Sequence, residues 1–133
     1  MIEKKKDRRR RHRTPLYKSF GFAIRGVWTC LKTERNIRIH CLAAVLVVIF
    51  GAWLKISVTE WLACLGLFGM IMGLELMNTA VEAVVDLVTE EYRPLAEKAK
   101  DVAAGAVLIA AFFAAIMGCI IFLPKLALFF GLF

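Results

Sequence analysis

The sequence predicts an all-α integral membrane protein with three transmembrane helices and an N-terminal amphipathic surface helix. Of its 133 residues, 60% are hydrophobic, and the mean hydropathy is +0.69, whereas soluble domains are usually ~45–50% apolar. The charges are also segregated, because residues 1–38 hold thirteen Lys/Arg against three Asp/Glu, while residues 39–133 hold five against eight. A basic start followed by a long apolar body excludes an ordinary soluble domain.

The N-terminal third divides into a basic tail and an amphipathic helix. The tail, residues 1–13, suits either nucleic acid or an anionic membrane face, since both attract clustered cations. The apolar body favours the membrane, so no nucleic-acid partner is expected, and a disordered solubilising tail is the alternative. Residues 14–38 are predicted to lie on the membrane as a helix, because apolar residues recur at helical spacing from Leu16 to Leu31.

Three apolar segments are predicted to cross the membrane within residues 39–125. They are expected at residues 39–54, 61–89 and 102–123. The last contains 22 uncharged residues, enough to cross ~30 Å of hydrocarbon at ~1.5 Å per residue. Pro124 and Lys125 are expected to end it, which leaves residues 126–133 as an apolar C-terminal tail.

The distribution of cations predicts the orientation. The positive-inside rule places the basic N-terminus in the cytoplasm and, after three crossings, the C-terminus outside. Arg93, Lys98 and Lys100 in the second inner loop agree with this orientation. Three helices bury little surface on their own, so an oligomer is expected. The two histidines, His12 and His40, are far apart in sequence and do not indicate a metal site.

The second span carries a stripe of polar residues. Its members, spaced by 3, 4 and 4 residues, are Glu75, Asn78, Glu82 and Asp86. At ~100° per residue they fall within about 80° of one helix face. A carboxylate inside a membrane helix costs about 2.5–3.5 kcal/mol, so three on one stripe indicate function. The alternative is a helix end that protrudes into the cytoplasm, but protrusion alone does not predict a one-sided stripe without Lys or Arg.

The stripe needs a compensating positive charge. The candidates are Arg35, Arg38, Lys100 or a divalent cation. Oxygen ligands favour Mg²⁺, which is typically held by one or two carboxylates together with substrate phosphates. A nucleotide–Mg²⁺ complex fits this description, although the chain has no G-x-x-x-x-G-K-[ST] loop.

Two segments carry a resemblance to a known family. Residues 75–86, ELMNTAVEAVVD, followed by Glu91-Tyr92 and by KAKDVAAGAV at residues 98–107, resemble the signature of the prokaryotic diacylglycerol kinase family. Residues 34–40, ERNIRIH, resemble its Gram-positive branch, whose members act chiefly as undecaprenol kinases. The resemblance covers about residues 16–125 and leaves the basic tail unmatched.

The resemblance implies a homotrimer in the bacterial cytoplasmic membrane, with composite active sites between protomers at the cytoplasmic face. By matched position, Glu75 would be the catalytic base, and Glu34 and Glu82 would hold the metal. The nucleotide and phosphate environment would be completed by Asn78, Asp86, Lys100 and Asp101. Ala23 stands where the enterobacterial branch has serine, so residues before Glu34 are left out of the site, except that Arg25 or Lys32 is expected near the phosphates.

The expected function is phosphorylation of the undecaprenol hydroxyl to undecaprenyl phosphate, with ATP as donor and Mg²⁺ as metal. The same chemistry on diacylglycerol, which yields phosphatidic acid, is the alternative. A small proton-coupled membrane carrier also uses an intramembrane glutamate, but it needs only one acid near the midplane. The stripe instead runs outward toward the cytoplasm.

Overall fold

A computed structural model describes residues 15–131, in which four helices follow one another and no strand occurs. The helices are α1 (Leu16–Thr33), α2 (Arg35–Trp53), α3 (Val58–Val88) and α4 (Pro94–Phe129). The last three are long and apolar enough to cross a membrane. The predicted fold class is therefore confirmed, and the chain is a multi-pass membrane protein. The basic tail, predicted at residues 1–13, lies outside the described residues.

The predicted surface helix over residues 14–38 is wrong in extent, because α1 ends at Thr33. Glu34 is extended (φ −90°, ψ 124°), and its backbone N–H donates to the Cys30 carbonyl, which closes α1. The chain then turns into α2, so residues 35–38 belong to the first spanning helix. No glycine or proline marks this corner. The apolar residues Leu16, Phe20, Ile24 and Trp28 remain exposed along α1, as expected of a helix that rests on a membrane.

Helix α3 begins at a capping box and contains the whole polar stripe. The Ser57 side chain accepts from the Glu60 backbone N–H, and the Glu60 carboxylate accepts from the Ser57 N–H. At ~1.5 Å per residue its 31 residues extend about 46 Å, more than the ~30 Å of a hydrocarbon core. Helix α3 is therefore long enough for one of its ends to extend beyond the membrane interior.

Helix α4 packs along α3 and is longer than predicted at both ends. It begins at Pro94, which suits the first helical position because proline lacks an N–H. It also continues through Pro124 to Phe129, so the predicted end at Pro124 and Lys125 is wrong. Two contacts hold this extension: Lys125 Nζ lies 3.2 Å from Glu60 Oε1, and the Phe129 and Trp53 rings meet edge to face at 4.7 Å. Residues 126–129, predicted as tail, are thus helical.

Candidate active site

The polar stripe runs from a buried to an exposed environment along α3. Glu75 is 3% exposed and is the buried ionisable residue of the described chain. Asn78 and Glu82 are half-buried, whereas the Asp86 side chain is 61% exposed. The carboxylates therefore meet different surroundings although they share one helix face.

Glu75 is contacted by a histidine from another helix. His40 Nε2, on α2, lies 3.3 Å from Glu75 Oε1, an ion-pair distance without the geometry of a formed hydrogen bond. Glu75 Oε1 and Asn78 Oδ1 are both buried and have no hydrogen-bond partner among residues 15–131. Buried polar atoms are usually paired, so these two oxygens mark a place where a polar group can be accepted.

Sequence reasoning missed His40. The large separation of His40 from His12 in the sequence argues against a metal site, and the sequence alone does not suggest a carboxylate partner for His40. The available signal was its position at the start of an apolar span, where an ionisable residue usually has a function and a partner. The identity of that partner depends on how α2 packs against α3, which the spacing of residues does not reveal.

Glu34 and Glu82 lie close to Glu75. Both carboxylates are near enough for their charges to repel that of Glu75, and the α1–α2 corner brings Glu34 there within a single chain. The Glu82 carboxylate accepts a 2.8 Å hydrogen bond from Asn78 Nδ2, and Glu34 accepts one of 3.2 Å from the Thr33 hydroxyl. Neither carboxylate forms an ion pair within the described residues, and the nearby Arg38 guanidinium donates only to the Glu34 backbone carbonyl, at 3.3 Å.

The carboxylates of Glu34 and Glu82 suit a metal ion that takes only some of its ligands from the protein. No group of three or more His, Cys, Asp or Glu residues close enough to enclose a metal occurs in the described part of the chain. Two uncompensated carboxylates, from Glu34 and Glu82, are what Mg²⁺ needs when substrate phosphates and water supply its remaining ligands. The donor set therefore fits the predicted metal.

The remaining predicted residues meet where α3 and α4 are joined. Lys100 Nζ is hydrogen-bonded to Asp86 Oδ1 across the two helices. Both residues line a cavity of about 370 Å³, as does Asp101. The Tyr92 hydroxyl, in the same cavity, donates to Glu97 Oε2 at 2.7 Å. This hydrogen bond raises the pKa of Tyr92 above its ordinary value.

An apolar groove lies beside the buried end of the stripe. It has a volume of about 740 Å³ and is formed by α2, α3 and α4. His40 lines one part of it, and Ile71, one helical turn before Glu75, lines another. The remaining walls are mainly alanine, valine, leucine and phenylalanine side chains. A long apolar molecule in this groove would therefore contact His40, the residue that lies beside Glu75.

Comparisons with known proteins identify the family of this chain. The family model for prokaryotic diacylglycerol kinase matches residues 21–122. Undecaprenol kinase of Bacillus subtilis (strain 168) is 48% identical over 118 residues, which cover 86% of this chain and 96% of that protein. A diacylglycerol kinase of Synechocystis is 46% identical over 81% of this chain and 62% of its own length. The diacylglycerol kinase of Escherichia coli (strain K12) is 32% identical over 81% and 88%, respectively.

Proposed function

The chain belongs to the prokaryotic diacylglycerol kinase family, and on that premise we propose that this lipid kinase transfers the γ-phosphate of ATP to the hydroxyl of undecaprenol. The observation that carries the proposal is a buried carboxylate, Glu75, placed beside an apolar groove and at the membrane end of an acidic stripe. Identity and coverage together favour undecaprenol, because the Bacillus subtilis undecaprenol kinase is 48% identical and matched over 96% of its length, whereas the Synechocystis diacylglycerol kinase is 46% identical but matched over only 62%. Diacylglycerol remains the second candidate, since the family model bears its name.

Phosphoryl transfer needs charge neutralisation, alignment and a group that accepts the hydroxyl proton. In the proposed reaction the lipid hydroxyl oxygen bonds to the γ-phosphorus, and the bond from that phosphorus to the β–γ bridging oxygen breaks to release ADP. Glu75 accepts the proton. Glu75 is the acid nearest the groove. Asp86 instead lies near the exposed end of α3 and is already paired with Lys100.

Glu34 and Glu82 are proposed to hold Mg²⁺, with Asn78 keeping Glu82 in place through its 2.8 Å hydrogen bond. When bound, the ion would supply positive charge to the β- and γ-phosphate oxygens. Lys100 supplies a second positive charge at the hairpin cavity, the cavity of about 370 Å³ where α3 and α4 are joined. Together with Asp86 and Asp101, which line the same cavity, it is assigned to the nucleotide end of the site.

We further propose the cytoplasmic membrane as location, with the N-terminus in the cytoplasm, and a homotrimer as the assembly. The orientation rests on the thirteen cations among residues 1–38 and on the need for ATP at the acidic end of α3. The trimer rests on the family resemblance. Low burial supports association, because only seven hydrophobic side chains, Gly51 and Glu75 are buried among the described residues.

Lipid-dependent ATP consumption by the purified full-length protein tests the proposed function. In mixed micelles with Mg²⁺, release of ADP should require undecaprenol or diacylglycerol and should rise with the lipid fraction. The same micelles without either lipid are the control. ADP release that is absent, or that is independent of lipid, would contradict a lipid kinase, and a proton-coupled carrier would give the former result.

A further inference from the structure

We propose that His40 is a positioning residue, which holds the Glu75 carboxylate so that its free oxygen faces the lipid hydroxyl. This inference rests on the proposed function, because it concerns the group assigned as proton acceptor. Its geometric basis is the contact between helices α2 and α3, in which His40 Nε2 lies 3.3 Å from Glu75 Oε1.

The position of His40 is fixed by its own helix. Ile37, three residues earlier and therefore on the same face of α2, is fully buried with 0% exposure. It anchors the inner end of α2, and the His40 side chain next to it is only 21% exposed. The packing of α2 thus keeps the imidazole near Glu75, and the imidazole is not carried on a long flexible side chain.

Among the polar side chains near Glu75 in residues 15–131, the other hydrogen-bond donors already bond to other acceptors, and His40 does not. The Asn78 amide donates to Glu82, the Thr79 hydroxyl donates to the Glu75 backbone carbonyl at 3.1 Å, and Lys100 is bonded to Asp86. Within residues 15–131, the imidazole is the positively polarised side chain in contact with the Glu75 carboxylate. Since Glu34 and Glu82 both repel that carboxylate, loss of the imidazole would leave only repulsion.

The same histidine lines the apolar groove, which Glu75 itself does not. His40 therefore stands between the carboxylate and the place proposed for the lipid chain. It lies 3.3 Å from Oε1 without a formed hydrogen bond, and the other carboxylate oxygen is the one assigned to the hydroxyl proton. Catalytic hydrogen bonds are often long before substrate binds and tighten in the complex. A 3.3 Å contact without ideal geometry is consistent with this.

Kinetics of His40→Ala and His40→Gln in the full chain test this role. The alanine variant should lower kcat about tenfold or more, because misplaced catalytic groups commonly cost up to ~10²-fold, while KM for ATP stays unchanged. Glutamine carries an amide N–H near the position of Nε2 and should recover most of the loss. Ile39→Ala, an exposed change on the same helical turn, is the matched control and should behave like the wild type.

A second readout does not depend on turnover. Dicyclohexylcarbodiimide, an apolar reagent for carboxyl groups, should label Glu75 slowly in the wild type, faster in His40→Ala and slowly again in His40→Gln. Mass spectrometry measures the label, and Glu75→Gln defines the background. Equal labelling in all His40 variants, or a loss of kcat that glutamine does not recover, would overturn the inference. If the wild type phosphorylates neither lipid, the proposed function fails, whereas the labelling pattern still decides whether His40 holds Glu75.

Discussion

At the scale of single residues, the three carboxylates of the stripe differ mainly in how their charge is compensated. Asp86 is bonded to a lysine across two helices, Glu75 meets a histidine, and Glu82 has only the neutral amide of Asn78. The residue types and their spacing were predictable from the sequence, because three carboxylates on one face of a membrane helix are costly. Of their partners, Lys100 is among the predicted compensating cations, whereas His40 is not, since it comes from a distant part of the chain.

These different neighbours predict a division of labour between the two central glutamates. Glu75→Gln removes a proton acceptor of the same size, so kcat should fall about 10²–10⁴-fold while nucleotide affinity is retained. Glu82→Gln removes an uncompensated carboxylate, so the Mg²⁺ concentration for half-maximal rate should rise. Initial rates over a Mg²⁺ titration, with nucleotide binding measured separately, distinguish the two.

Both glutamine variants need a control for assembly, because removing one of several like charges changes stability as well as activity. Thermal unfolding should show midpoints equal to or above that of the wild type, since each substitution reduces repulsion within the stripe. Near-normal kcat in Glu75→Gln would refute its role as base. An equal loss of nucleotide affinity in both variants would refute the division of labour.

At the scale of helices, periodicity predicted the type and order of every element but not all of their ends. The start of α3 carries a capping-box pattern, Ser57 to Glu60. The corner at Glu34 has no such pattern, because nothing in the local sequence forbids a continuous helix there. The continuation of α4 past Pro124 depends on contacts with Trp53 and Glu60, and these are visible only once the helices are packed.

The tightest approach between helices gives a prediction at this scale. A Cβ on Gly51 of α2 would lie 2.8 Å from Trp61 Cη2 and 3.0 Å from Ile56 Cδ1. Gly51→Ala should therefore destabilise the helix pair by about 1–3 kcal/mol, as overpacking usually does. Gly66→Ala, at a position with no atom within 4 Å of the new Cβ, is the matched control and should be neutral or slightly stabilising. Thermal unfolding midpoints compare the two, and an unchanged midpoint for Gly51→Ala would contradict the packing described.

At the scale of the whole molecule, the two ends of the spanning helices have different characters. The acids of the stripe, the α1–α2 corner and the hairpin cavity lie at one end. The other end is closed by the Glu60–Lys125 pair and the Trp53–Phe129 contact. ATP must reach the acidic end, so the orientation of the chain is part of the proposed function.

Labelling of single cysteines tests that orientation. In a chain whose four native cysteines are replaced, a membrane-impermeant maleimide added from outside should label Thr59→Cys and miss Arg93→Cys. Both positions are exposed, and Thr59 is preferred to Ser57 because Ser57 caps α3. Labelling after the cells are opened should reach both sites. The reverse pattern in intact cells would place the acidic end outside, away from ATP.

The proposed lipid kinase activity is best tested by a competition assay, in which labelled phosphate passes from ATP to either of two lipids. Full-length protein is incubated with γ-labelled ATP, Mg²⁺ and micelles that contain equal amounts of undecaprenol and diacylglycerol, alongside Glu75→Gln. Label should accumulate mainly in undecaprenyl phosphate, and the Glu75→Gln reaction should be at least ~10²-fold slower. Label found mainly in phosphatidic acid would contradict the assigned lipid, and no label in either product would contradict the lipid kinase itself.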